Sequence, residues 1–217
     1  MKICITTSNA YHHLLPVFFY LYNKYWGAPF DLVGYDKPKC ELPDNCTWVS
    51  IGVQGGKNEF STDLRKYFEQ QPQFFVWMME DTFIKEYVHN NRIDNNISKH
   101  IGRIDLSNDI KSRSHKKYSE LEVIIALPNT RYRLSTQPSI WNKSFLLQYL
   151  KPGLSPWDFE TQDPMNDGWD IVGFVNPPVK HNEGVRRFDI TKLNLDGMKQ
   201  EDIDHINKIY EAPPRLR

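Results

Sequence analysis

Residues 74–84 read FFVWMMEDTFI, and this stretch decides the interpretation of the fold. Six apolar residues in a row, without alternation, are typical of a strand buried on both faces of a parallel sheet. The run stops at two adjacent carboxylates, Glu80 and Asp81, before apolar residues resume. Because ligands of open α/β sheets bind beyond the carboxyl ends of the strands, we expect both acids at the mouth of a binding site.

The chain before this strand alternates between strand-like and helix-like runs. Residues 14–26 are rich in large apolar side chains and carry Pro16 near the start, which predicts a helix. Residues 60–71 place apolar side chains at helical spacing, with Ser61 or Thr62 as the N-cap. Together with the strand-like runs KICIT, FDLVGY and TWVSIG, this order predicts an α/β fold with a mostly parallel central sheet flanked by helices.

The second half of the chain is less regular. Strands are predicted at HIGRIDLS, TRYRLS and DIVGFV. Helices are predicted at residues 142–150, from Ser155 onward, and at residues 198–210. Residues 90–117 are polar and basic, so we expect an excursion from the sheet there.

Composition and charge limit the classes to which the protein can belong. The 217 residues contain 27 basic and 27 acidic side chains, and this balance argues against a nucleic-acid partner. The amino terminus lacks a signal-peptide pattern, and no apolar window approaches the roughly 18–20 residues of a transmembrane segment. Three cysteines, an odd number, predict reduced thiols and a cytoplasmic protein. Without repeats or linkers, we predict one domain over residues 1–217, with halves at 1–100 and 118–217.

The adjacent acids allow two interpretations. Two neighbouring carboxylates repel each other in a half-buried place, and a divalent cation offsets this repulsion. Hard oxygen ligands suit magnesium or manganese. Alternatively, one acid caps a helix that begins near Thr82 while the other is solvated.

A second segment carries a resemblance to a known family. Residues 132–160 read YRLSTQPSIWNKSFLLQYLKPGLSPWDFE, which resembles a segment of bacterial and phage GT-A-type glycosyltransferases. In that group a strand reading roughly yrlSlqpaiWnk leads to a helix and then to L.pg.sPWeFE. The opening TTSNAYHHLLP, the aromatic NKYW and the strand that ends in acids occur here in the same order. The resemblance implies a GT-A-like nucleotide-sugar-binding fold, with a nucleotide-binding half at 1–100 and an acceptor half at 118–217.

The resemblance also implies a metal site. GT-A enzymes hold a divalent ion with a DxD element at the end of a central strand. Met79 occupies the first position here and cannot ligate a hard cation, so the resemblance implies Glu80 and Asp81 as ligands, with Asp81 as the closing Asp. It further implies His181 as a late ligand, although a lone loop histidine is equally an ordinary surface residue. The implied cofactor is manganese or magnesium.

Residues for the nucleotide are assigned by analogy with this fold and by their chemistry. Thr6, Thr7 and Ser8 follow the first strand, where polar and backbone groups can bond to the edge of a base. Asp36 follows the second strand and either accepts hydrogen bonds from ribose hydroxyls or begins the turn at DKP. Arg65 faces either the diphosphate or the solvent.

Three residues are candidates for the sugar and acceptor. Trp141 and Trp157 offer aromatic surfaces for a sugar ring, and both fit equally well as core residues. Gln137 is polar within an apolar segment and needs a partner if it is buried, which sugar hydroxyls can supply.

Two acids in the SPWDFE segment compete for the catalytic role. Residues two apart on a helix lie about 200° around its axis, so Asp158 and Glu160 cannot both face one substrate. Asp158 falls in the first turn, where capping and the helix dipole explain an acid. Glu160 has no such role and corresponds to the last Glu of the family segment. We therefore predict Glu160 as the base that activates the acceptor, with Asp158 as the second catalytic candidate.

These observations predict an enzyme, a metal-dependent glycosyltransferase. It would move a hexose from a nucleotide-diphosphate donor, UDP-linked by the family resemblance, to a sugar hydroxyl of a glycan acceptor with inversion. One alternative is a non-catalytic module that binds a sugar nucleotide or a glycan, which Met79 in place of a ligating Asp favours. The other alternative is a nucleotide-sugar hydrolase that uses the same acids with water as the acceptor.

Overall fold

The fold is that of a computed structural model, which describes residues 1–88, 100–117, 122–162, 167–186 and 189–211. The described helices are α1 (Leu15–Tyr25), α2 (Phe60–Glu69), α3 (Lys143–Tyr149), α4 (Pro156–Glu160) and α5 (Gln200–Glu211), with 3-10 turns at Asn9–Leu14 and Lys57–Glu59. The described strands are β1 (Lys2–Thr6), β2 (Phe30–Gly34), β3 (Cys46–Ser50), β4 (Phe74–Met79), β5 (Thr82–Ile84), β6 (Ile101–Asp105), β7 (His115–Lys117), β8 (Val123–Ala126), β9 (Ser139–Asn142), β10 (Asp170–Phe174), β11 (His181–Glu183), β12 (Val185–Arg186) and β13 (Asp189–Leu193).

One nine-stranded sheet takes strands from both halves of the chain, in the order β3-β2-β1-β4-β9-β6-β10-β8-β7. The strands from β3 to β4 are all parallel, as predicted. Beyond β4 the sheet is mixed, because β9 is antiparallel to both β4 and β6, and β8 is antiparallel to β10 and β7. The α/β class is therefore confirmed, but the sheet is mixed: the amino-terminal strands are parallel, and beyond β4 only β6 and β10 pair in parallel among the described strands.

The apolar run at Phe74–Met79 forms β4, which lies inside the sheet with both faces covered. Phe75 and Trp77 pack in a core cluster with α2, α3 and α4, whereas Val76 and Met78 pack in the cluster that contains α1. Successive side chains of a strand point to opposite faces, so an unbroken apolar run is what burial on both faces requires.

Most sequence-predicted elements occur within a residue or two of their expected bounds, but two predictions are wrong. The segment TRYRLS forms turns instead of a strand, and Tyr132 within it has a left-handed backbone with φ of 59°. Ser61 and Thr62 do not cap α2, which begins at Phe60. Their hydroxyls instead accept hydrogen bonds from the backbone of Leu154 at 2.8 Å and of Gly153 at 3.0 Å, which fixes the loop before α4.

Two further expectations concern less regular parts of the chain. Of the predicted excursion at 90–117, residues 90–99 lie outside the described residues, and the remainder contains β6 and β7. None of the helices in the described ranges combines the length and apolar character that crossing a membrane requires.

Candidate functional site

A cleft of about 380 Å³ lies at the carboxyl ends of β1 and β4. Its walls come from several parts of the chain: the loops after β1, β2 and β3, the first turns of α2, the β4–β5 turn, α4 with the loop before β9, and Glu183 on β11. The position agrees with the general rule that α/β sheets bind ligands beyond the carboxyl ends of their strands.

Four carboxylates line this cleft, those of Glu80, Asp81, Glu160 and Glu183. Glu80 and Asp81 form the tight turn between β4 and β5, and Thr82 is already the first residue of β5. No helix begins near Thr82, so the interpretation of one acid as its cap is wrong. Both acids lie at the cleft, as the sequence predicted.

Glu80 is almost fully enclosed, with 1% of its surface exposed. Its Oε1 accepts hydrogen bonds from the hydroxyl of Thr7 at 3.1 Å and from the backbone N–H of Ser8 at 3.2 Å. Burial raises the pKa of Glu80 to about 8, and the negative charge of Asp81 adds to the rise. Glu80 thus ties the loop after β1 to the β4–β5 turn.

Asp81 is half-buried, and it lies near the carboxylate of Glu183, a residue that was not predicted from the sequence. Burial raises the pKa of Asp81 to about 6, and the charges of Glu183 and Glu160 raise it further. Glu183 comes close because β11 pairs with β5 in a register that sets Glu183 opposite Thr82. The backbone N–H of Gly184 also donates to the carbonyl of Asp81. Register between distant strands cannot be read from local sequence, so Glu183 was missed.

Glu160 is the last residue of α4, and its carboxylate is anchored by one neighbour. Oε1 accepts hydrogen bonds from the backbone N–H and from the hydroxyl of Thr136, both at 2.6 Å. Thr136 lies in the loop before β9 and also lines the cleft. Sequence reasoning passed over Thr136, although it stands beside Gln137 in the family-like segment.

Asp158 forms a capping box with Ser155, which agrees with the capping role predicted for it, and lies outside the cleft lining. Its Oδ2 accepts hydrogen bonds from the Ser155 hydroxyl at 2.6 Å and from the Ser155 backbone N–H at 3.2 Å. These bonds lower the pKa of Asp158. The structure therefore separates the two acids of α4, with Glu160 in the cleft and Asp158 at the helix end.

Among the nucleotide candidates, Thr6, Thr7 and Ser8 all line the cleft. Asp36 does not, because it is exposed and pairs reciprocally with Asn9: the Asn9 amide donates to Asp36 Oδ2 at 2.7 Å, and the Asp36 N–H donates back at 3.1 Å. This pairing fits the interpretation of Asp36 as a turn residue.

Arg65 lies outside the cleft lining, and its side chain, 32% exposed, bonds to a neighbouring helix. Its Nη1 donates to the backbone carbonyls of Leu147 at 2.6 Å and Leu150 at 3.1 Å, at the carboxyl end of α3. Helix ends leave such carbonyls without intrahelical partners, and a cation near them is favourable. Lys57 is the basic residue among those that line the cleft.

The sugar candidates divide by burial. Gln137 and Trp157 line the cleft, and Trp157 is 65% exposed. Trp141 is fully buried against Trp77 and Phe159, so it is a core residue and the prediction of a sugar contact is wrong.

His181 is the predicted ligand that the structure does not bring to the acids. It lies on β11 opposite Ile84, outside the cleft lining, and burial lowers its pKa. Its Nδ1 is enclosed and has no hydrogen-bond partner among the described residues. Across the described ranges, no three His, Cys, Asp or Glu side chains are grouped closely enough to hold a metal ion by themselves.

The carboxylates nevertheless fit a cation of one kind. Magnesium is usually bound through one or two carboxylates plus phosphate and water oxygens, without a cage built only of protein ligands. Asp81 and Glu183 form such a pair; burial raises the pKa of Asp81 first, and the negative charge of Glu183 adds to the rise. The donor set suits a hard divalent ion that shares its ligands with a bound substrate.

Comparison with known proteins finds similarity to solved structures at low sequence identity. No protein-family model and no curated protein matches the sequence. Among solved structures, it is similar to the galactosyltransferase LgtC in complex with donor and acceptor sugar analogues, at 10% identity and a TM-score of 0.42. That match covers 68% of this chain and 60% of LgtC. An active-site mutant of LgtC matches at 8% identity and a TM-score of 0.42, over 68% of this chain and 59% of that one. A likeness this remote assigns neither a function nor a site.

Proposed function

We propose that this protein is a GT-A-like glycosyltransferase that moves a hexose from a nucleotide-diphosphate donor, UDP-linked by the family resemblance, to a sugar hydroxyl. The observation that carries the proposal is that two distant sequence segments meet in one cleft. The strand-end acids of β4 and Glu160 of the family-like segment both line it. The resemblance assigns the first segment to the donor and the second to the acceptor, and a transfer reaction needs both at one place.

The charge of the cleft bears on the donor. Glu80, Asp81, Glu160 and Glu183 line it together with the single cation of Lys57 among the described lining residues. A pyrophosphate entering this cleft is repelled unless positive charge accompanies it. We therefore propose magnesium or manganese held by Asp81 and Glu183, which when bound would neutralise the charge developing on the departing diphosphate.

Glu80 has a different role in this proposal. Its hydrogen bonds to Thr7 and Ser8 hold the loop after β1, which forms the donor end of the cleft. Polar and backbone groups of that loop are then fixed in position before the nucleotide arrives, so binding loses less conformational entropy.

The acceptor end is formed by α4 and the loop before β9. The exposed indole of Trp157 offers a flat apolar surface, and Gln137 offers an amide that can bond to hydroxyls. As the acceptor oxygen bonds to the anomeric carbon, the bond from that carbon to the diphosphate breaks, and the acceptor proton passes to the Glu160 carboxylate. This assignment corresponds to an inverting displacement.

A transfer assay tests the proposal. The protein is incubated with UDP-hexoses and manganese, with and without a panel of mono- and disaccharide acceptors, and products are identified by mass spectrometry. We expect an acceptor enlarged by one hexose, formed only when the acceptor is present. Free hexose in equal amounts with and without acceptor would instead identify a nucleotide-sugar hydrolase.

A second candidate is a non-catalytic module that binds a sugar nucleotide or a glycan. Two observations favour it: Met79 stands where a ligating Asp is expected, and the described residues contain no preformed group of three metal ligands. Saturable binding of donor or glycan in calorimetry, with neither transfer nor hydrolysis over a range of acceptors, would establish this function and overturn the first.

A further inference from the structure

A threonine that no sequence motif singled out lies directly on the proposed base. Both donors of Thr136, the backbone N–H and the hydroxyl, bond to the same oxygen of Glu160, each at 2.6 Å. Hydrogen bonds to an ionised carboxylate are shorter and stronger than those between neutral groups. Two of them from one residue fix the position of Oε1 and leave Oε2 for another partner.

We propose that Thr136 is a positioning residue for Glu160: it holds Oε1 so that Oε2 receives the acceptor proton, an inference that rests on the function proposed above. An unanchored glutamate samples several rotamers, and ordering it in the transition state costs entropy at each turnover. An anchored carboxylate has already lost that freedom in the resting enzyme.

The backbone that carries Thr136 is itself held in an unusual conformation. Tyr132 has φ of 59°, a region that bulky residues rarely adopt. Its carbonyl accepts a hydrogen bond from the N–H of Ser135 at 3.1 Å, closing the turn that leads into Thr136. The guanidinium of Arg113 lies over the Tyr132 ring, 4.6 Å from its centre. The hydrogen bond that closes this turn and the Arg113 contact that covers it restrict the backbone that leads into Thr136.

A fully buried cation supports the same turn from inside the protein. Arg103 on β6 donates from Nη1 to the carbonyls of Tyr132 at 3.4 Å and Arg133 at 3.3 Å. Its other nitrogens bond to Ser139 at 2.8 Å and to Asp109 at 3.3 Å. A buried ion network often contributes less to stability than apolar packing would, so the presence of one here fits a role in fixing one loop conformation.

Contacts on the other side of Glu160 complete the arrangement. Phe159, its neighbour on α4, packs against Trp141, and the Arg103 guanidinium lies 5.6 Å from the centre of the Trp141 ring. The loop and the helix that meet at the Thr136–Glu160 contact therefore rest on the same buried cluster. The contact joins two supported elements and is not an isolated surface bond.

Two substitutions of Thr136 separate positioning from packing. Thr136→Val keeps the branched shape and the backbone N–H but removes the hydroxyl donor, so kcat for transfer should fall about tenfold, as expected for loss of one hydrogen bond to a charged group. The donor KM should stay within about twofold, because the donor end of the cleft is untouched. Thr136→Ser retains the hydroxyl and should recover most of kcat. Melting temperatures of both variants monitor folding.

A double-mutant cycle decides whether Thr136 acts through Glu160. In a Glu160→Gln background, we expect Thr136→Val to change the residual transfer rate by less than about twofold, because the proton acceptor is already lost. A tenfold loss in both backgrounds would overturn the positioning role, as would wild-type kcat in Thr136→Val. These outcomes differ from failure of the proposed function, in which the wild-type protein gives no transfer product at all.

Discussion

The β4–β5 turn and helix α4 each present two acids close together in sequence. In each pair, the two acids have different surroundings. In the turn, Glu80 is enclosed by hydrogen bonds and Asp81 faces other carboxylates. On the helix, Asp158 is held in the capping box and Glu160 lines the cleft. One acid of each pair holds the backbone in place, and the other is available for chemistry.

The two acids that hold the backbone, Glu80 in the turn and Asp158 on the helix, differ in burial and in the direction of their pKa shifts. Glu80 is buried, and burial, with the charge of Asp81, raises its pKa to about 8. Asp158 is exposed at a helix end, and hydrogen bonds from Ser155 lower its pKa. Burial disfavours the charged form of an acid, whereas donors at a helix terminus favour it. The role of each of these carboxylates is therefore set by its surroundings and not by its place in a motif.

The largest expected effect tests the chemical member of the helix pair. Glu160→Gln keeps the size of the side chain and can still accept hydrogen bonds from Thr136, but it cannot take the acceptor proton. Transfer should fall by about 10² to 10⁴ in kcat, the usual contribution of a positioned base. Donor affinity, measured by calorimetry, should barely change, since the loss is confined to the transition state.

The next largest effect is expected for Asp81, the acid of the β4–β5 turn that is proposed to bind the metal. Asp81→Asn removes the negative charge of the proposed metal ligand. The manganese-dependent part of donor affinity should therefore fall by at least about 10-fold, the lower end of the loss seen when a residue that supports a metal ligand is replaced. Titration of the donor with and without manganese measures this difference directly. Glu183→Gln should weaken the same metal-dependent part.

His181→Asn is the matched control for this experiment. His181 lies outside the cleft lining and is not grouped with the acids in the described ranges, so its replacement should leave metal-dependent affinity unchanged. Wild-type affinity in Asp81→Asn together with a loss in His181→Asn would reverse the assignment. It would also restore the late histidine ligand that the family resemblance implies.

The structural acid of the turn should be visible in the pH dependence of stability. The pKa of Glu80 is raised from 4.5 to about 8, so the folded state binds its proton more tightly than the unfolded state does. The stabilisation is complete below about pH 4.5 and is lost as pH rises towards about 8. In metal-free buffer, the melting temperature of the wild type should fall across this range relative to that of Glu80→Gln, which cannot ionise. Parallel curves for the two proteins would show that Glu80 is ionised when buried.

The amino-terminal half of the fold was predictable because its signals are local. Pro16 opens α1 and Gly27 closes it with φ of 67°, and β4 is an apolar run buried on both faces. In the other half, the strand predicted at TRYRLS gave way to turns, because Tyr132 is left-handed and its carbonyl is bonded to the buried Arg103. Such contacts join residues far apart in sequence and leave no local pattern.

The candidate site was predictable to the same limited extent. The adjacent acids and Glu160 were found because they break a local pattern, an apolar run in one case and a capped helix in the other. Trp141 and Trp157 are alike in sequence, and only tertiary packing makes one a core residue and the other an exposed surface. The position of Glu183 at the cleft depends on the register between β11 and β5. The guanidinium of Arg65 donates to backbone carbonyls at the end of α3, a contact that the local sequence does not show.

The smallest effect tests the structural member of the helix pair and uses α4 alone. Ser155→Ala removes the N-cap hydroxyl and should lower the free energy of unfolding by about 1 kcal/mol, the usual cost of losing such a cap. Asp158→Asn can still accept hydrogen bonds from Ser155 and should cost less, with no effect on transfer, because Asp158 lies outside the cleft lining. Thermal unfolding and the transfer assay, run on both variants beside Glu160→Gln, separate stability from chemistry. If Asp158→Asn abolishes transfer at an unchanged melting temperature while Glu160→Gln remains active, the two acids exchange roles. The capping box would then hold the catalytic carboxylate, and the hydrogen bonds from Thr136 would serve only to fix the end of α4.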